Sequence, residues 1–431
     1  MPYSTDTRTL QPGDTYVAIR GDVHDGHRFV PQALAAGATG VVTEQDVEVP
    51  DGVAVTRVED SVAYLVEQAS ARVRGSGARV VAITGSVGKT TTRSAITAVV
   101  AEGFKVVPSE GNKNTPLGLS LLVLNREVAP GAVLVLEMGA RFAGDIRELC
   151  AAFPPDVSVV TNVKGVHVET FGSIDGVARE KSEIVRALGP DGVACLNGDD
   201  ARARAFADLH AGRTLLYGTG PDCDLGPGLV TATLPILGAH AMHTALAALA
   251  VGRALGMDDA AINRGLGQIV PEKGRLVRLA GRRGSTLVDD TYNASPDAAL
   301  AALDVLRGLD AERRVACLGD MLELGDTEVE QHADVLRAAV ESADVVVAVG
   351  PIMARAAAAL GDARVRTAPT SAALADAVRS GDAGFPRAGD AVLVKGSQGT
   401  RMERVSEALL SPDLDAADVL PRQSESWKQI A

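Results

Sequence analysis

The chain has 431 residues, of which 46% are hydrophobic, 23% are charged and only 3% are aromatic. This length exceeds one compact core and predicts two to four domains, and the share of charged residues is typical of a folded protein. A formal net charge of -13, with no block of lysine and arginine, argues against a nucleic-acid partner or an anionic membrane surface.

The cysteine pattern and the N-terminal sequence bear on the compartment. The four cysteines are scattered and form no C-x-x-C pair, as expected of reduced thiols. The first ten residues lack the basic and then apolar pattern of a secretory signal, and no run of about 18 apolar residues predicts a membrane span. We therefore expect a cytoplasmic protein with no membrane insertion.

Strand-like apolar runs alternate with Ala- and Leu-rich helical patterns along the whole chain. Such alternation is typical of βαβ units, so we expect an α/β fold with mainly parallel sheets. The runs are DTYVAI, GVVTE, RVVAIT, AVLVLEM, VSVVTNV, RVACLG, DVVVAVG and AVLVKG.

Two stretches have the composition of domain boundaries. One is the basic, glycine-containing stretch 71–79, and the other lies near 271–275, after a long helical pattern. Residues from about Ser411 onward resemble a polar tail that carries the only tryptophan, Trp427. The predicted domains are residues 1–78, 79–273 and 274–431.

The most informative local pattern is RVVAITGSVGKTTT, residues 79–92, in which a β-branched strand leads into a glycine-containing loop and then a helix. Glycines at positions 85 and 88 allow the backbone to turn tightly and to direct its N–H groups inward. Lys89 can supply a charge for the β- and γ-phosphates, and Thr90 can bind Mg²⁺. The segment predicts a site for a nucleoside triphosphate.

The loop departs from the full phosphate-loop pattern because residue 83 is isoleucine rather than glycine. The alternative interpretation is a glycine turn beside a surface lysine, but the register of strand, loop and helix favours phosphate binding. The predicted nucleotide-binding residues are Gly85, Ser86, Val87, Gly88, Lys89, Thr90 and Thr91.

Three further residues could belong to a metal site, although each also has a structural explanation. Glu137 ends a predicted strand, where a carboxylate could meet Mg²⁺ or simply face solvent. His167 follows another predicted strand, but an isolated histidine is more often structural. Lys181 is predicted beside the apolar face of a helix, and composition alone would make it a surface lysine. These residues do not decide whether the protein is a kinase, a GTPase, an ATPase or a ligase.

Ten segments together resemble the Mur ligase family over nearly the whole chain. Among them, DDTYNASP (289–296) and LGDMLELG (318–325) are most similar to the branch of the family that adds D-alanyl-D-alanine to a UDP-linked peptidoglycan precursor. The segments, in order, are TGSVGKTTT, GNKNTPLG, LEMGA, TNVKGVHVETFGS, AREKSEI, CLNGDD, GRL, DDTYNASP, LGDMLELG and VKGSQG.

The resemblance implies a three-domain architecture and a reaction. The first domain would bind the UDP part of the precursor, the second would be a P-loop ATPase, and the third a Rossmann-like domain that brings the amine. ATP would phosphorylate the terminal carboxylate of a UDP-N-acetylmuramoyl-tripeptide, and D-alanyl-D-alanine would attack the acyl phosphate. The implied partners are these small molecules, with no nucleic acid, and we expect a monomer.

The resemblance also implies roles for individual residues. Thr90 and Glu137 would hold one Mg²⁺, while His167 and Lys181 would serve a second, with Lys181 carrying a carbamate made from CO₂. Arg275 matches an arginine that contacts phosphate, and Asp290 matches a residue of the ATP pocket. The matching substrate residues are Asn112, Asn114 and Thr115 beside the activated carboxylate, Asn293 on the amine side, and Thr7, Arg8, Asp25 and His27 for the UDP part.

The chain also departs from the family pattern. Ala241 and Thr244 stand where asparagines usually help to hold adenine, so adenine recognition is expected from elsewhere, such as Asn197 or Asp199. The first domain begins almost at the D-T-R segment, and residues 217–238 are compact. The alternatives are a divergent ligase that joins a different carboxylate and amine, a catalytically silent nucleotide-binding relative, and a P-loop kinase.

Overall fold

The computed structural model describes residues 2–21, 24–111, 113–165 and 168–428, which form strands and helices in alternation. The strands are β1 Tyr3–Ser4, β2 Thr15–Val17, β3 Gly40–Thr43, β4 Ala54–Arg57, β5 Arg79–Thr84, β6 Val106–Pro108, β7 Val133–Glu137, β8 Val157–Val160, β9 Val193–Asn197, β10 Arg213–Tyr217, β11 Val277–Ala280, β12 Thr286–Asp290, β13 Arg313–Gly319, β14 Val345–Val349, β15 Val365–Ala368 and β16 Asp390–Lys395.

Helices lie between most of the strands in sequence, as the alternating pattern predicts. They are α1 Val30–Ala35, α2 Ser61–Ser76, α3 Lys89–Val100, α4 Pro116–Asn125, α5 Asp145–Ala152, α6 Val168–Phe171, α7 Ile174–Arg186, α8 Ala201–Ala205, α9 His240–Ala254, α10 Asp259–Gly267, α11 Pro296–Gly308, α12 Glu328–Ser342, α13 Pro351–Leu360, α14 Ser371–Ser380, α15 Glu403–Leu409, α16 Ala416–Val419 and α17 Glu425–Lys428. Within the described ranges, none of these helices is long and apolar enough to cross a membrane.

The strands form three sheets. The first has the order β1-β2-β3-β4, the second β10-β9-β8-β5-β7-β6, and the third β11-β12-β16-β13-β14-β15. Every strand pair is parallel except β11 with β12. The predicted α/β fold with mainly parallel sheets is therefore confirmed, and all eight predicted strand segments contain strands.

The chain forms two compact units. One comprises Met1–Thr233 with Met242–Gln268 and contains the first two sheets. The other comprises Leu234–Ala241 with Ile269–Ala431 and contains the third sheet. The boundaries predicted at 78 and 273 stay predictions.

The second sheet positions the predicted nucleotide site. Its strands β5 and β7 are buried on both faces, as their uninterrupted runs of valine, leucine and isoleucine require. Helices α3, α5 and α7 follow β5, β7 and β8 in sequence. Because parallel strands end at the same edge, the loops after β5, β7 and β8 meet where ligands bind in open α/β sheets.

The residues from Ser411 to Lys428 are folded and do not form an extended tail. Leu420 is 1% exposed and belongs to a hydrophobic core of the third sheet's unit. Trp427, on α17, lies near the guanidinium group of Arg401, at 5.4 Å from the ring centroid. The polar composition did not predict these contacts, because Leu420 and Trp427 are single residues in a short, mostly polar stretch.

The burial of β7 generates a stability prediction. Val135 is fully buried in β7, whereas Val55 on β4 is 45% exposed and belongs to the same unit. Val135→Ala is expected to lower the free energy of unfolding by about 2 kcal/mol, because it removes buried methyl groups and leaves a cavity. Urea denaturation checks this, with Val55→Ala as the matched control at under about 0.5 kcal/mol. Equal losses in the two variants would contradict the burial of β7.

Candidate active site

The loop between β5 and α3 is shaped by two glycines. Gly88 has a φ of +84° and precedes α3, whose first turn has no cap from a described side chain. A Cβ atom on Gly85 would lie 1.9 Å from Thr161 Oγ1, so a larger residue would displace the end of β8. The start of α3 presents backbone N–H groups and the positive end of the helix dipole. This arrangement favours an anion such as phosphate.

Lys89 is folded onto the loop that precedes it. Its Nζ donates to the carbonyl oxygens of Gly85 at 2.8 Å and Ser86 at 3.4 Å. The ammonium group is thus held at the loop where phosphate would bind, as predicted for a phosphate-loop lysine. Thr91 is half-buried in the first turn of the helix.

Asn162, which follows β8, braces the loop. Its side chain accepts a hydrogen bond from Val87 N–H at 3.0 Å and donates to the Val87 carbonyl at 2.9 Å. Its own carbonyl accepts from Ser86 N–H at 3.1 Å, and Thr161 Oγ1 donates to the Val87 carbonyl at 2.8 Å. Neither Thr161 nor Asn162 was predicted as a site residue. Their place directly after a strand beside the loop is the signal that could have identified them.

Glu137 is the point where three segments of the first unit meet. Its carboxylate is 4% exposed and accepts from Thr90 Oγ1 at 2.9 Å and from Asn114 Nδ2 at 3.2 Å. Ser109 Oγ accepts from the Glu137 N–H at 2.9 Å, which fixes the end of β7. A Cβ atom on Gly139 would lie 2.7 Å from Asn114 Nδ2, so glycine at this position allows the asparagine to approach. The predicted position of Glu137 at a strand end is confirmed.

Lys181 lies on α7, and its side chain is 8% exposed. Burial and, to a smaller extent, the positive charge of Lys89 lower the pKa of Lys181 to about 7, against a smaller opposing effect of Glu180. The predicted position beside the apolar face of a helix is confirmed. A lysine of this kind has a substantial neutral fraction near pH 7 and can act as a nucleophile.

Glu180 connects α7 to the segment that follows β7. Its carboxylate accepts hydrogen bonds from the backbone N–H groups of Gly144 at 2.7 Å and Ile146 at 2.8 Å, at the start of α5. The negative charge is stabilised there by the positive end of the helix dipole. Glu180 therefore fixes the helix that carries Lys181 to the chain that leaves Glu137. The sequence alone did not predict a role for Glu180.

Two predicted residues, Asn112 and His167, lie outside the described residues. Thr115, predicted to lie beside the activated carboxylate, caps α4, and its Oγ1 accepts from Gly118 N–H at 3.3 Å. Among the residues that the structure describes, no group of three or more His, Cys, Asp or Glu side chains could hold a metal ion.

Asn197 and Asp199, the candidates for adenine recognition, are engaged within the protein. Asn197 Nδ2 donates to the Thr161 carbonyl at 2.7 Å, and its Oδ1 accepts from Asp199 N–H at 3.0 Å. Burial raises the pKa of Asp199, but hydrogen bonds from Thr219 and from the His243 ring outweigh it and hold this pKa well below its usual range. Adenine contact by either residue stays a prediction.

The residues predicted to hold the UDP part lie beside the first sheet. Thr7 and Arg8 occupy the turn after β1, and the exposed Arg8 guanidinium forms a two-pronged ion pair with Asp6. This pair holds the pKa of Asp6 below its ordinary value. The arginine is accessible to a phosphate, although a ligand would have to share or displace Asp6.

Asp25 and His27 form a closed pair. His27 Nδ1 lies 2.6 Å from Asp25 Oδ1, and His27 Nε2 accepts from Glu44 N–H at 3.0 Å. The hydrogen bonds from His27 lower the pKa of the Asp25 carboxyl. Both ring nitrogens of His27 are thus used in holding the loop, and its side chain is 1% exposed. Its contact with a precursor stays a prediction, whereas Asp25 is more accessible.

The remaining predicted residues lie in the unit of the third sheet. Lys395 Nζ donates to Asp290 Oδ2 at 2.6 Å and to the Asn293 carbonyl at 2.9 Å. Asp290 Oδ1 accepts from Leu276 N–H at 3.2 Å, directly after Arg275. The ion pair of Lys395 and Asp290 is buried. It joins the ends of β12 and β16 and explains the lysine in VKGSQG, for which the sequence suggested no contact.

The loop after β5, the buried Glu137 at the end of β7 and the lysine on α7 define a nucleotide-dependent phosphoryl-transfer enzyme of the α/β class. Three family descriptions match the chain: the Mur ligase family catalytic domain at residues 3–85, the Mur ligase middle domain at 83–224, and the Mur ligase glutamate ligase domain at 274–398. The chain belongs to the Mur ligase family.

Curated relatives and solved structures agree with this membership. UDP-N-acetylmuramoyl-tripeptide--D-alanyl-D-alanine ligase of Bacillus subtilis is 34% identical, covering 77% of this chain and 76% of the relative. The protein of that name from Synechocystis is 38% identical, covering 75% of this chain and 73% of the relative. The crystal structure of MurF from Acinetobacter baumannii has a TM-score of 0.83 and 30% identity over 94% and 92%. The crystal structure of MurF ligase from Thermotoga maritima in complex with ADP has a TM-score of 0.81 and 28% sequence identity. It covers 94% of this chain and 96% of that chain.

The brace on the phosphate loop generates a binding prediction. Asn162→Ala removes two hydrogen bonds to Val87 and is expected to raise the Kd for ADP about tenfold, because the loop must then be ordered on binding. Isothermal titration calorimetry measures this Kd. Asn263→Ala is the matched control, since Asn263 holds the backbone of Thr231 elsewhere in the same unit. An unchanged Kd in Asn162→Ala would contradict the bracing role.

The buried lysine generates a prediction on pH. The folded pKa of Lys181 is about 7, below the ordinary 10.5, so the buried charge costs stability below pH 7 and this cost disappears as the pH rises towards 10.5. In protein freed of metal and bicarbonate, Lys181→Met is expected to raise the free energy of unfolding at pH 6 by on the order of a few kcal/mol. Denaturation at several pH values checks this, with the exposed Lys105→Met as the control. A gain that does not shrink between pH 7 and 9.5 would contradict it.

Proposed function

We propose that this chain is an ATP-dependent ligase that joins the terminal carboxylate of UDP-N-acetylmuramoyl-tripeptide to the amine of D-alanyl-D-alanine. The products are the pentapeptide precursor, ADP and phosphate. One observation carries the proposal: in a chain of the Mur ligase family, Thr90 of the phosphate loop and Asn114 both donate to the buried carboxylate of Glu137. A relative that bears this ligase's name, from Synechocystis, is 38% identical over 75% of the chain.

The nucleotide would bind at the start of α3, with its phosphates against the N–H groups of the loop. Lys89 would turn from the carbonyls of Gly85 and Ser86 to the β- and γ-phosphates. By its resemblance to the family, Arg275 would contact phosphate, and Asp290 would belong to the ATP pocket. The similar structure of MurF ligase from Thermotoga maritima is a complex with ADP, which supports nucleotide binding by this fold.

The oxygen donors fit Mg²⁺. The Thr90 hydroxyl and the Glu137 carboxylate carry hard oxygen donors that would suit one such ion. An ammonium group cannot bind a cation, but neutral Lys181 can attack CO₂ and lose a proton to give a carbamate with two oxygens. That carbamate and His167 would serve a second ion. Bound Mg²⁺ neutralises the charge that develops on the transferring phosphoryl group.

The reaction would have two steps, and the predicted residues would act on both. A carboxylate oxygen of the tripeptide attacks the γ-phosphorus while the bond to ADP breaks, with Asn114, Thr115 and Asn112 beside the carboxylate. The dipeptide amine then attacks the acyl carbon near Asn293, and the tetrahedral intermediate expels phosphate as the nitrogen loses its proton. Lys89 and Arg275 offset the negative charge of the phosphoryl group in both steps.

The precursor's UDP part would bind beside the first sheet, with Arg8 at a phosphate and with Thr7, Asp25 and His27 around it. We propose three functional domains, at residues 1–78, 79–273 and 274–431. We further propose that the chain acts as a monomer in the cytoplasm, on small molecules only.

Phosphate release with product analysis tests the proposal. Purified protein is incubated with ATP and Mg²⁺, with the tripeptide precursor, D-alanyl-D-alanine, both or neither, and products are identified by mass. Release that requires both substrates and yields the pentapeptide is the expected result, and Lys89→Ala should abolish it while binding no ADP. Release with the carboxylate alone would favour a kinase. Bound ATP without release would favour a divergent ligase or a silent relative.

The carbamate generates a rescue prediction. Lys181→Ala is expected to lower kcat at least about a hundredfold, because it removes a ligand of the charge-neutralising site. Acetate should restore part of the rate by supplying carboxylate oxygens in the space that the side chain leaves. Steady-state assays with increasing acetate measure this, and sodium chloride at equal ionic strength is the control. Full activity without acetate would exclude the role of the carbamate.

A further inference from the structure

Tyr292 has no assigned role, yet its ring lies against the predicted phosphate contact Arg275. The Arg275 Cζ atom lies 4.1 Å from the centroid of the Tyr292 ring, a distance typical of a cation–π contact. The Arg275 Nε is buried and has no hydrogen-bond partner among the described residues. The aromatic face is therefore a main support of this guanidinium group in the structure.

The backbone on both sides of this contact is fixed. Tyr292 N–H donates to the Gly274 carbonyl at 3.0 Å, and Leu276 N–H donates to Asp290 Oδ1 at 3.2 Å. Gly274 has a φ of +75°, and a Cβ atom there would lie 3.0 Å from both Tyr292 N and Pro421 Cγ. Arg275 thus leaves a turn that is held against the end of β12, and only its side chain remains to be positioned.

Arg422 holds Tyr292 from the other direction. Its guanidinium group donates to the carbonyls of Thr291, at 3.0 Å, and Tyr292, and its Cζ lies 5.3 Å from the Tyr292 ring centroid. The side chain is 6% exposed and is paired with Glu403 at 3.1 Å. Arg422 also has a φ of +57°, which is uncommon for a residue with a side chain and marks a position held by its surroundings.

The short C-terminal helix closes over the same cluster. Glu403 accepts from Arg401 Nε at 2.5 Å as well as from Arg422. Trp427, on α17, lies 5.4 Å from the Arg401 Cζ and 5.9 Å from the Arg422 Cζ, measured to its ring centroid. The residues after Pro421 are therefore connected to Arg275 through Arg422 and Tyr292.

We propose that Tyr292 and Arg422 are positioning residues for Arg275, so that the C-terminal segment 420–428 contributes to ATP use. The inference rests on the proposed function only in giving Arg275 a phosphate to contact. Tyr292 restricts the guanidinium group to one orientation, and Arg422 restricts Tyr292. Preorganisation of a charged group before phosphate arrives lowers the cost of binding and of the charge redistribution that follows.

A double-mutant cycle on kcat/KM for ATP tests the proposal. Tyr292→Leu and Arg275→Ala are measured singly and together. Tyr292→Leu is expected to lower kcat/KM about tenfold, because it removes the aromatic face. In the Arg275→Ala background, the same change should have almost no further effect, since Tyr292 acts through Arg275. Tyr292→Phe keeps the ring and should retain the wild-type value, which a loss of folding in Tyr292→Leu would not explain.

Arg422→Gln provides a second arm with a readout that does not depend on activity. It should lower kcat/KM for ATP as Tyr292→Leu does, and should shift the emission of Trp427, the only tryptophan. Arg366→Gln is the matched control, because Arg366 also donates to a backbone carbonyl but lies on β15 at the opposite edge of the third sheet. It should change neither kcat/KM nor the emission.

The outcomes separate the inference from the proposed function. Additive losses from Tyr292→Leu and Arg275→Ala would overturn the positioning role while the ligase reaction stands. Wild-type kcat/KM in Arg275→Ala or in Tyr292→Leu would overturn it as well. Absence of any pentapeptide with the wild-type protein would refute the proposed function. ADP affinity would then replace kcat/KM in the same cycle, with additivity again deciding against the inference.

Discussion

The buried carboxylate of Glu137 is the interaction on which the arrangement of the site depends. A carboxylate that is 4% exposed must have hydrogen-bond donors, and here they come from Thr90 at the start of α3 and from Asn114 before α4. Thr90 follows β5 and Asn114 follows β6, and the parallel order β5-β7-β6 brings both to the sheet edge where β7 ends at Glu137. The need to satisfy one negative charge therefore fixes the phosphate loop against the segment that would meet the substrate carboxylate.

The cationic side of the site follows from the same burial. Lys181 sits on a packed helix, and burial together with the charge of Lys89 lowers its pKa to about 7. Glu180 compensates for that charge only in part, and its carboxylate is held by two backbone N–H groups at the start of α5. Conversion of this buried, partly neutral lysine into a carbamate would supply an anion that can bind a metal ion.

The sequence predicts features that short-range patterns define, but it does not reveal contacts between residues that are distant in sequence. The phosphate loop and the strand that ends at Glu137 could be predicted because glycine spacing and apolar runs are short-range patterns. The bracing by Asn162, the link through Glu180 and the pair of Lys395 and Asp290 could not, because each joins residues more than 30 positions apart. His27 depends on tertiary contacts in the same way: both of its ring nitrogens are used inside the fold, and its contact with a precursor stays a prediction.

The reaction proposed for the site around Glu137 requires that a carboxylate be phosphorylated before the amine attacks. Transfer of a heavy oxygen isotope tests it most directly. The terminal carboxylate of the tripeptide is labelled, the reaction is run with ATP and D-alanyl-D-alanine, and the released phosphate is analysed by mass spectrometry. An acyl phosphate requires that one labelled oxygen appear in each phosphate released, because the bond from carbon to that oxygen breaks. Unlabelled phosphate alongside pentapeptide would contradict the account, since the carboxylate would then have been activated by another route.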